Sequence, residues 1–435
     1  MRELIHAGQL AGYQAVVLGA GSSGTAAATL LVALGAKVRW LERKDPGEDV
    51  RRFAADKGID LQVGEHTPEQ FAGVDLVVVS PGVPVRKMGH LLGEMPERKI
   101  ISELELASWF VSEPILAVTG TNGKTTTVSL CGHILRESGK RVFVGGNIGT
   151  PLSEYLLGGE RADILVLEVS SFQLQNSRTF KPHVGVLLNF SANHLDYHES
   201  MEEYLEAKLK LFSRQTEGDL AIAPLNMKDE LEARGFTKAK RVYYVPSNRF
   251  EGAPLLGAHN RANMEAAWLA CRAFGVSDEQ ARAAVMNFKP LAHRIEPVIE
   301  AGGVLFVDDS KATTIDAMAA AISAFDRPVR LLAGGVWKGG DAAALVPLLK
   351  ERVKSVGLFG KAREVFEEAW QGHVPLSWEP TLELAVKRLY AEAQPGDVIL
   401  LSPATASFDL YKDYKARGDD FQRIARSLAG AGRKA

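Results

Sequence analysis

The sequence predicts an α/β protein with three domains, each built on a parallel sheet. Short β-branched runs alternate with amphipathic helical stretches, which is the pattern of βαβ units. The pattern begins near residue 15 and restarts near residues 115 and 304. The length of 435 residues is about three times the roughly 150 residues typical of one domain. We therefore expect domains at residues 1–101, 102–296 and 297–435.

The strands are predicted from short aliphatic and β-branched runs, taken in chain order. In the first domain these runs are residues 15–18, 37–41 and 76–80. The second domain has runs at 115–118, 164–169 and 184–189, followed by helical stretches at 200–212 and 260–274. The third has runs at 304–308, 329–333, 355–359 and 398–401.

Composition excludes several classes of protein. Lys and Arg total 51 against 53 Asp and Glu, so the surface has no excess positive charge that would favour binding to nucleic-acid phosphates. With 46% hydrophobic and 24% charged residues, the chain is neither disordered nor fibrous. Cys131 and Cys271 lie in apolar helical patterns, which indicates reduced core residues and a reducing compartment. No run resembles a signal peptide or reaches the roughly 20 apolar residues of a membrane span. We expect a cytoplasmic monomer without nucleic-acid or membrane partners.

A first glycine-rich loop, residues 19–24 (GAGSSG), follows the first predicted strand and opens a helix. Glu42 follows the next strand, at the spacing of a dinucleotide-binding fingerprint. In that arrangement glycines let the backbone approach a diphosphate, and the acid meets a ribose hydroxyl. A tight βα turn without a ligand, or a nucleotide other than NAD, fits the pattern as well.

A second loop, residues 118–126 (VTGTNGKTT), lies between a strand and a helix and predicts a phosphate-binding site. Such a loop wraps backbone N–H groups around phosphates, sets Lys124 on the β and γ oxygens and gives Thr125 a hydroxyl for Mg²⁺. Val118 stands where the strict P-loop pattern has Gly. The order of strand, Gly-Lys-Thr and helix nevertheless makes this the strongest site in the sequence.

Glu168 lies near the end of the apolar strand 164–169, where a carboxylate would otherwise be costly to bury. Strand ends of α/β sheets face the ligand crevice, so Glu168 is a candidate Mg²⁺ ligand, although an exposed acid at a strand end also fits. Asn189, His194 and Lys208 follow in the chain. By residue type alone, these three are more often structural or solvated.

Several runs together resemble the ATP-dependent Mur ligases of peptidoglycan synthesis, across essentially the whole chain. They are residues 119–126 (TGTNGKTT), 146–149 (GNIG), 168–173 (EVSSFQ), 193–198 (NHLDYH) with Lys208, 259–260 (HN), 293–294 (HR), 309–313 (DSKAT), 334–339 (GGVWKG) and 402–407 (SPATAS). Within the family, DSKAT and the Ser-Pro-Ala run resemble the member that adds D-glutamate to UDP-N-acetylmuramoyl-L-alanine.

The resemblance implies an N-terminal Rossmann-like domain that holds UDP, a central P-loop ATPase-like domain and a C-terminal Rossmann-like domain that receives the amino acid. The first glycine loop would then hold a UDP diphosphate and not NAD. The residues implied for the UDP-sugar substrate are Ser22, Ser23, Gly24, Glu42, Arg43, Ser80, Gly82, Asn147, Gln173 and His194.

The resemblance also implies the ATP, metal and amino-acid sites. For ATP the residues are Gly120, Thr121, Asn122, Gly123, Lys124, Thr125, Thr126, Asn260, Asn263, Arg294, Asp309 and Lys311. For Mg²⁺ they are Thr125, Glu168, His194 and Lys208, the last as a carbamate formed with CO₂. For D-glutamate they are Thr313, Lys338, Ser407, Phe408 and Tyr414, with core packing of Phe408 and Tyr414 as the alternative. The catalytic residues expected are Lys124, Glu168, His194 and Lys208.

Two positions depart from the family pattern. Asn193 stands where many members carry Asp, and Thr314 follows DSKAT where Asn is usual. Other readings also stay open: a nicotinamide oxidoreductase built on the first loop, a P-loop ATPase acting as a mechanical or regulatory switch, and a sister Mur ligase or folylpolyglutamate synthase relative.

Overall fold

The computed structural model describes residues 8–93, 95–191 and 197–431. The chain forms two compact units, one of Met1–Phe250 with Ala262–Val285 and one of Glu251–Arg261 with Met286–Ala435. The first unit contains two sheets and the second contains one. None of the helices in the described ranges combines the length and hydropathy needed to cross a lipid bilayer.

The first sheet is parallel, with strand order β3-β2-β1-β4-β5. Apart from the exposed Gln14 at the start of β1, its central strands β1 and β4 are apolar and buried, as expected where helices cover both faces. The elements are β1 (Gln14–Leu18), α1 (Ser22–Ala33), β2 (Lys37–Glu42), α2 (Glu48–Asp56), β3 (Asp60–Val63), β4 (Leu76–Val79), α3 (Gly89–Leu92), β5 (Ile100–Ser102) and α4 (Glu103–Ser108), with 3₁₀ turns at Pro68–Phe71, Val85–Met88 and Glu97–Lys99.

The second sheet is also parallel, with order β11-β10-β9-β6-β8-β7. Strand β6, which leads into the Gly-Lys-Thr loop, and strand β8, which ends at Glu168, are neighbours in this sheet. The elements are β6 (Ile115–Thr119), α5 (Lys124–Glu137), β7 (Val142–Gly146), α6 (Leu152–Leu157), β8 (Ile164–Glu168), α7 (Ser171–Gln175), β9 (Val184–Leu187), α8 (Met201–Leu209), β10 (Leu220–Pro224), α9 (Lys228–Arg234), β11 (Lys240–Tyr244), α10 (Ala258–Arg272) and α11 (Asp278–Met286), with a 3₁₀ turn at Leu225–Met227.

The third sheet has order β12-β13-β17-β14-β15-β16 and is parallel except at one edge, where β12 runs antiparallel to β13. The elements are β12 (Glu296–Ala301), β13 (Val304–Asp308), α12 (Ile315–Ile322), β14 (Val329–Gly334), α13 (Val346–Arg352), β15 (Val353–Phe359), α14 (Arg363–Trp370), β16 (Leu376–Glu379), α15 (Leu382–Glu392), β17 (Val398–Leu401) and α16 (Tyr414–Ala431), with a 3₁₀ turn at Ala343–Leu345.

The prediction of an α/β fold with three sheets is confirmed, and each predicted strand corresponds to an observed one. Seven strands of the described part of the chain were not predicted. The edge strands β3, β11, β12 and β16 are partly exposed and lack a continuous apolar run. The other three, β5, β7 and β10, are short runs of three to five residues that were not recognised. The expected domain boundary at residue 101 lies inside β5, and the one at residue 296 lies at the first residue of β12. The three-domain division stays a prediction.

Two buried glutamates on α4 connect the first sheet to the second within the first unit. The Glu103 carboxylate accepts the Ser153 N–H at 2.6 Å, at the start of α6, and burial raises the pKa of Glu103. The Glu105 carboxylate accepts the backbone N–H groups of Arg178, Thr179 and Phe180 at 2.8–3.0 Å. Because these donors lie in the turn after α7, Glu105 fixes the chain that follows this helix.

Replacing Glu105 with alanine should destabilise the first unit. Three backbone N–H groups would lose their acceptor, and each buried unsatisfied donor costs about 1–3 kcal/mol. We expect a clearly lower unfolding midpoint by scanning calorimetry. Glu202→Ala is the control, since Glu202 forms an exposed ion pair with Arg234 and its loss should change the midpoint little. Equal shifts in the two variants would contradict the anchoring role of Glu105.

Candidate active site

The Gly-Lys-Thr loop joins the carboxyl end of β6 to the amino end of α5, which begins at Lys124. Gly120 has a φ of 151°, and a Cβ there would lie 3.0 Å from Leu188, so the loop passes close to the end of β9. The Asn122 N–H donates to Asn189 Oδ1 at 2.9 Å, and Asn189 Nδ2 donates back to the Asn122 carbonyl. The Asn263 side chain packs directly against Gly123. Thr126 lies in the first turn of α5, which is a preformed anion site.

Two lysines converge on one carbonyl of this loop. Lys124 Nζ donates to the Gly120 carbonyl at 2.8 Å, and Lys208 Nζ donates to the same oxygen at 2.9 Å. Lys208 is 1% exposed and its ammonium lies 4.3 Å from the centre of the Tyr204 ring. Burial, together with the charge of Lys124, lowers the pKa of Lys208 well below its ordinary value. The site therefore favours a neutral Lys208 or an anion beside it.

Glu168, at the end of β8, links two of the predicted site residues. Thr125 Oγ1 donates to Glu168 Oε2 at 2.8 Å, and Asn147 Nδ2 donates to Glu168 Oε1 at 2.9 Å. The carboxylate is 3% exposed. The Thr125 hydroxyl in the first turn of α5 and the Glu168 carboxylate at the end of β8 offer the oxygen ligands that Mg²⁺ prefers, so the residues present fit this ion.

Gln173 lies in the first turn of α7, and within the described ranges only one of its two side-chain amide atoms forms a hydrogen bond. Its Oε1 accepts the Ser170 N–H at 3.0 Å, in a reciprocal capping arrangement with Ser170. Its Nε2 is buried and has no hydrogen-bond partner among the described residues. A buried donor of this kind calls for an acceptor, which a substrate oxygen could provide.

The first glycine loop lies at the carboxyl end of β1. A Cβ on Gly24 would overlap the Gly19 carbonyl oxygen, so only glycine lets α1 approach the strand this closely. Ser80 Oγ donates to that same carbonyl at 3.3 Å. Glu42 Oε2 accepts the Ala20 N–H at 2.7 Å, so this carboxylate stabilises the conformation of the loop.

Four more residues predicted for the UDP substrate lie in the first sheet's part of the chain, whereas Asn147 and Gln173 lie in the part of the second sheet. Ser22 and Ser23 are the first residues of α1, and Gly82 follows β4 with a φ of 90°. Arg43 is exposed and forms an ion pair with Glu65 at 2.7 Å.

In the second unit, Asp309 lies buried at the carboxyl end of β13. Ser402 Oγ donates to its Oδ2 at 2.9 Å, and the Ile295 N–H donates to its Oδ1 at 3.2 Å. Burial raises the pKa of Asp309 to about 7. Arg294 immediately precedes Ile295 in the chain. Asn260 belongs to the same unit, and its Nδ2 donates to the Leu256 carbonyl at 2.7 Å.

Of the residues predicted for the amino acid, Tyr414 begins α16 and the others lie on loops at the carboxyl ends of the third sheet; Lys311, predicted for ATP, contacts Tyr414. Lys311 Nζ lies 4.1 Å from the centre of the Tyr414 ring. Ser407 is buried, whereas Phe408 is 71% exposed and so is not a core residue. Thr313 is half-buried and Lys338 is exposed. Thr314, one of the two departures, caps α12 through its hydroxyl.

His194 and Asn193 lie outside the described residues. The sequence patterns gave Asn189 little weight and did not single out Tyr204, yet both contact the phosphate loop. Tyr204 Oη lies 3.4 Å from Thr121 Oγ1, beside the Lys208 ammonium. The signal for Asn189 was its position directly after a buried strand. Tyr204 carried no such signal, because its contacts span 83 residues of chain.

Three family models match the chain. They are the Mur ligase MurD-like N-terminal domain at residues 13–90, the Mur ligase middle domain at 118–271 and the Mur ligase glutamate ligase domain at 293–405. Among solved structures, the MurF ligase of Thermotoga maritima in complex with ADP matches with a TM-score of 0.57 at 18% identity. That match covers 90% of this chain and 96% of the other and shows the shared fold.

Relatives of high identity extend over nearly the whole chain. A UDP-N-acetylmuramoylalanine–D-glutamate ligase of Oleidesulfovibrio alaskensis is 55% identical, with 95% of this chain and 93% of the relative covered. One from Desulfovibrio desulfuricans is 54% identical, with 96% and 97% covered. The chain belongs to the Mur ligase family.

The raised pKa of Asp309 predicts a pH-dependent contribution to stability. The folded state binds the Asp309 proton with a pKa of about 7, against 3.8 for the ordinary carboxyl. The folded protein therefore holds more protons between these values, and this contribution falls as the pH rises from about 4 to about 7. Asp309→Asn should gain in thermal unfolding midpoint relative to wild type across that window. Asp326→Asn, at an exposed site, should run parallel to wild type. A parallel Asp309→Asn profile would contradict the burial argument.

Proposed function

We propose that the protein is an ATP-dependent ligase that joins UDP-N-acetylmuramoyl-L-alanine to D-glutamate in peptidoglycan precursor synthesis. The observation that carries the proposal is the meeting of Lys124 and Lys208 at the Gly120 carbonyl, beside Glu168 and Thr125. That cluster suits transfer of a phosphoryl group. The names of the relatives supply the two substrates. Family membership disfavours an oxidoreductase or a switch ATPase, and the relatives favour D-glutamate over the amino acids of sister ligases.

The chemistry proceeds in two steps. The L-alanine carboxylate is a poor electrophile, so its oxygen attacks the γ-phosphorus of ATP, releasing ADP and leaving an acyl phosphate. The D-glutamate amine then attacks the acyl carbonyl, and inorganic phosphate leaves as the amide forms. Both steps ask the protein mainly to position reactants and neutralise charge.

Each residue of the central cluster has a role in this proposal. Lys124 neutralises charge on the β and γ oxygens, and the backbone N–H groups of residues 120–126 cradle the phosphates. Thr125 and Glu168 would hold Mg²⁺, which polarises the phosphoryl oxygens when bound. Asn147 orients Glu168 through its 2.9 Å hydrogen bond. The orphaned amide of Gln173 donates to the muramoyl-alanine portion, and His194 is proposed as a further contact and metal ligand.

Lys208 is proposed to react with CO₂ and carry a carbamate. The reaction needs a neutral amine, and the lowered pKa of Lys208 favours that form. Carbamate formation would also replace a cation next to Lys124 with an anion, which removes the repulsion between the two lysines. The carbamate oxygens would then be available to a second Mg²⁺.

The remaining assignments belong to the same proposal. UDP binds at the first glycine loop with Ser22, Ser23 and Gly24. Asn260, Asn263, Arg294, Asp309 and Lys311 serve ATP, while Thr313, Lys338, Ser407, Phe408 and Tyr414 serve D-glutamate. The protein acts as a cytoplasmic monomer of three domains, divided near residues 101 and 296.

Phosphate release from ATP and Mg²⁺ tests the reaction. With UDP-N-acetylmuramoyl-L-alanine present, D-glutamate should drive turnover, whereas L-glutamate, L-lysine and no amino acid should not. Turnover that ignores the amino acid would leave an ATPase and refute the ligase. Turnover driven by L-lysine would point to a sister ligase.

Lys208→Ala tests the carbamate. Activity should fall by about 10²–10³-fold, the loss typical of one well-aimed charge-stabilising group. Added short carboxylic acids should restore part of it, because they can supply the missing oxygens. Lys210→Ala is the matched control: Lys210 is exposed and donates to the Gln175 carbonyl, away from the loop. Unchanged activity in Lys208→Ala, or equal rescue of both variants, would contradict the carbamate.

A further inference from the structure

Arg417 lies in the first turn of α16, and its guanidinium is completely buried. It bonds to three separate segments of chain. Its Nε donates to Ser310 Oγ at 3.0 Å and its Nη2 to the Ser310 carbonyl at 2.8 Å. Its Nη2 also reaches the Thr405 carbonyl at 3.1 Å, and its Nη1 reaches the Gly334 carbonyl at 3.3 Å. One side chain thus joins the loops that follow β13, β17 and β14.

These loops carry the side chains proposed for D-glutamate. The loop after β13 leads to Thr313, the loop after β14 to Lys338 and the loop after β17 to Ser407. Direct contacts support the same arrangement: Thr405 Oγ1 donates to the Gly334 carbonyl at 2.6 Å, and the Val336 and Ala406 backbones form a bridge. Arg417 contacts all three loops at once.

The partners of Arg417 are all neutral oxygens. No carboxylate among the described residues lies within ion-pair distance of its nitrogens. Burial lowers the pKa of Arg417 to about 10, and the charges of Asp409, Tyr411 and Asp308 oppose that shift from farther away. Arg417 therefore stays charged at pH 7, without a contacting anion, at the carboxyl ends of the strands.

Arg330 shows how the same sheet treats a buried arginine at its opposite end. Its Nε donates to Asp397 Oδ2 at 2.8 Å and its Nη1 to Ser355 Oγ at 2.9 Å. Arg330 and Asp397 lie at the amino ends of β14 and β17, away from the loops, and they neutralise each other. Arg330, away from the loops, is thus ion-paired, and Arg417 is not.

We propose that Arg417 is a positioning residue for the amino-acid substrate, which fixes the three loops relative to one another and places a positive charge beneath a dicarboxylate. The inference rests on the proposed function, because it takes the third sheet's loops as the D-glutamate site. The guanidinium fork suits the task, since its five N–H donors can reach several acceptors in fixed directions.

Steady-state kinetics of two variants test the proposal with the full-length protein. Arg417→Lys keeps the charge but loses the fork, and Arg417→Met loses both. We expect the KM for D-glutamate to rise by about tenfold or more in Arg417→Lys, as several buried acceptors lose their donors, and further in Arg417→Met. The KM for ATP should change less. ATP–ADP isotope exchange with UDP-N-acetylmuramoyl-L-alanine and no D-glutamate should persist, since it reports the first step alone.

Arg330→Met is the matched control. It removes a buried arginine from the same unit and should lower the thermal unfolding midpoint while leaving the KM for D-glutamate unchanged. If the KM for D-glutamate rises equally in Arg330→Met, lost stability explains the effect of the Arg417 variants, and the proposal is overturned. A wild-type KM in Arg417→Lys would overturn the positioning role.

Two further outcomes are distinguishable from these. If Arg417→Met does not fold, Arg417→Lys against Arg330→Met still decides between positioning and stability. If the wild-type protein forms no product with D-glutamate, the proposed function fails first, and the inference fails with it.

Discussion

The central site depends on a single carbonyl oxygen, that of Gly120, which accepts hydrogen bonds from two lysines. Two ammonium groups on one acceptor repel each other, and the repulsion is strong because Lys208 is buried and water cannot screen it. Lys124 Nζ also donates to the Thr121 carbonyl at 2.8 Å, which holds it beside Lys208. Loss of a proton from Lys208, a chemical change of Lys208 or an anion in the loop would each reduce the repulsion. The unfavourable contact is therefore informative about function.

Keeping that carbonyl in place requires several elements of the first unit. Asn189 holds the loop from the end of β9, and Tyr204 reaches it from α8 while packing against Lys208. Farther away, Glu105 fixes the turn after α7, the helix that carries Gln173. The position of the loop therefore depends on contacts that are distant in sequence, and the short motif alone would not produce it.

The sequence patterns predicted the parts of the site that are local. Strand, loop and helix in succession located Lys124 and Thr125, and a carboxylate at the end of an apolar strand located Glu168. What they could not predict were meetings across the chain: Lys208 reaches Gly120 over 88 residues, and Arg417 reaches Ser310 over 107. The family resemblance suggested roles for Lys208 but not its contacts. Edge strands such as β16 were missed for a related reason, since a partly exposed strand has no continuous apolar run.

Buried cations of the third sheet differ in their partners. At its amino ends, Arg330 pairs with Asp397 ahead of β17. At its carboxyl ends, His293 pairs with Asp308 at 2.7 Å, whereas the hydrogen-bond partners of Arg417 among the described residues are all neutral oxygens. Stability alone does not explain the surroundings of Arg417, because desolvating a cation without a counter-ion is costly. The cost is understandable if the missing anion is the dicarboxylate substrate. The third sheet then serves as a rigid support at its amino ends and as an anion receptor at its carboxyl ends.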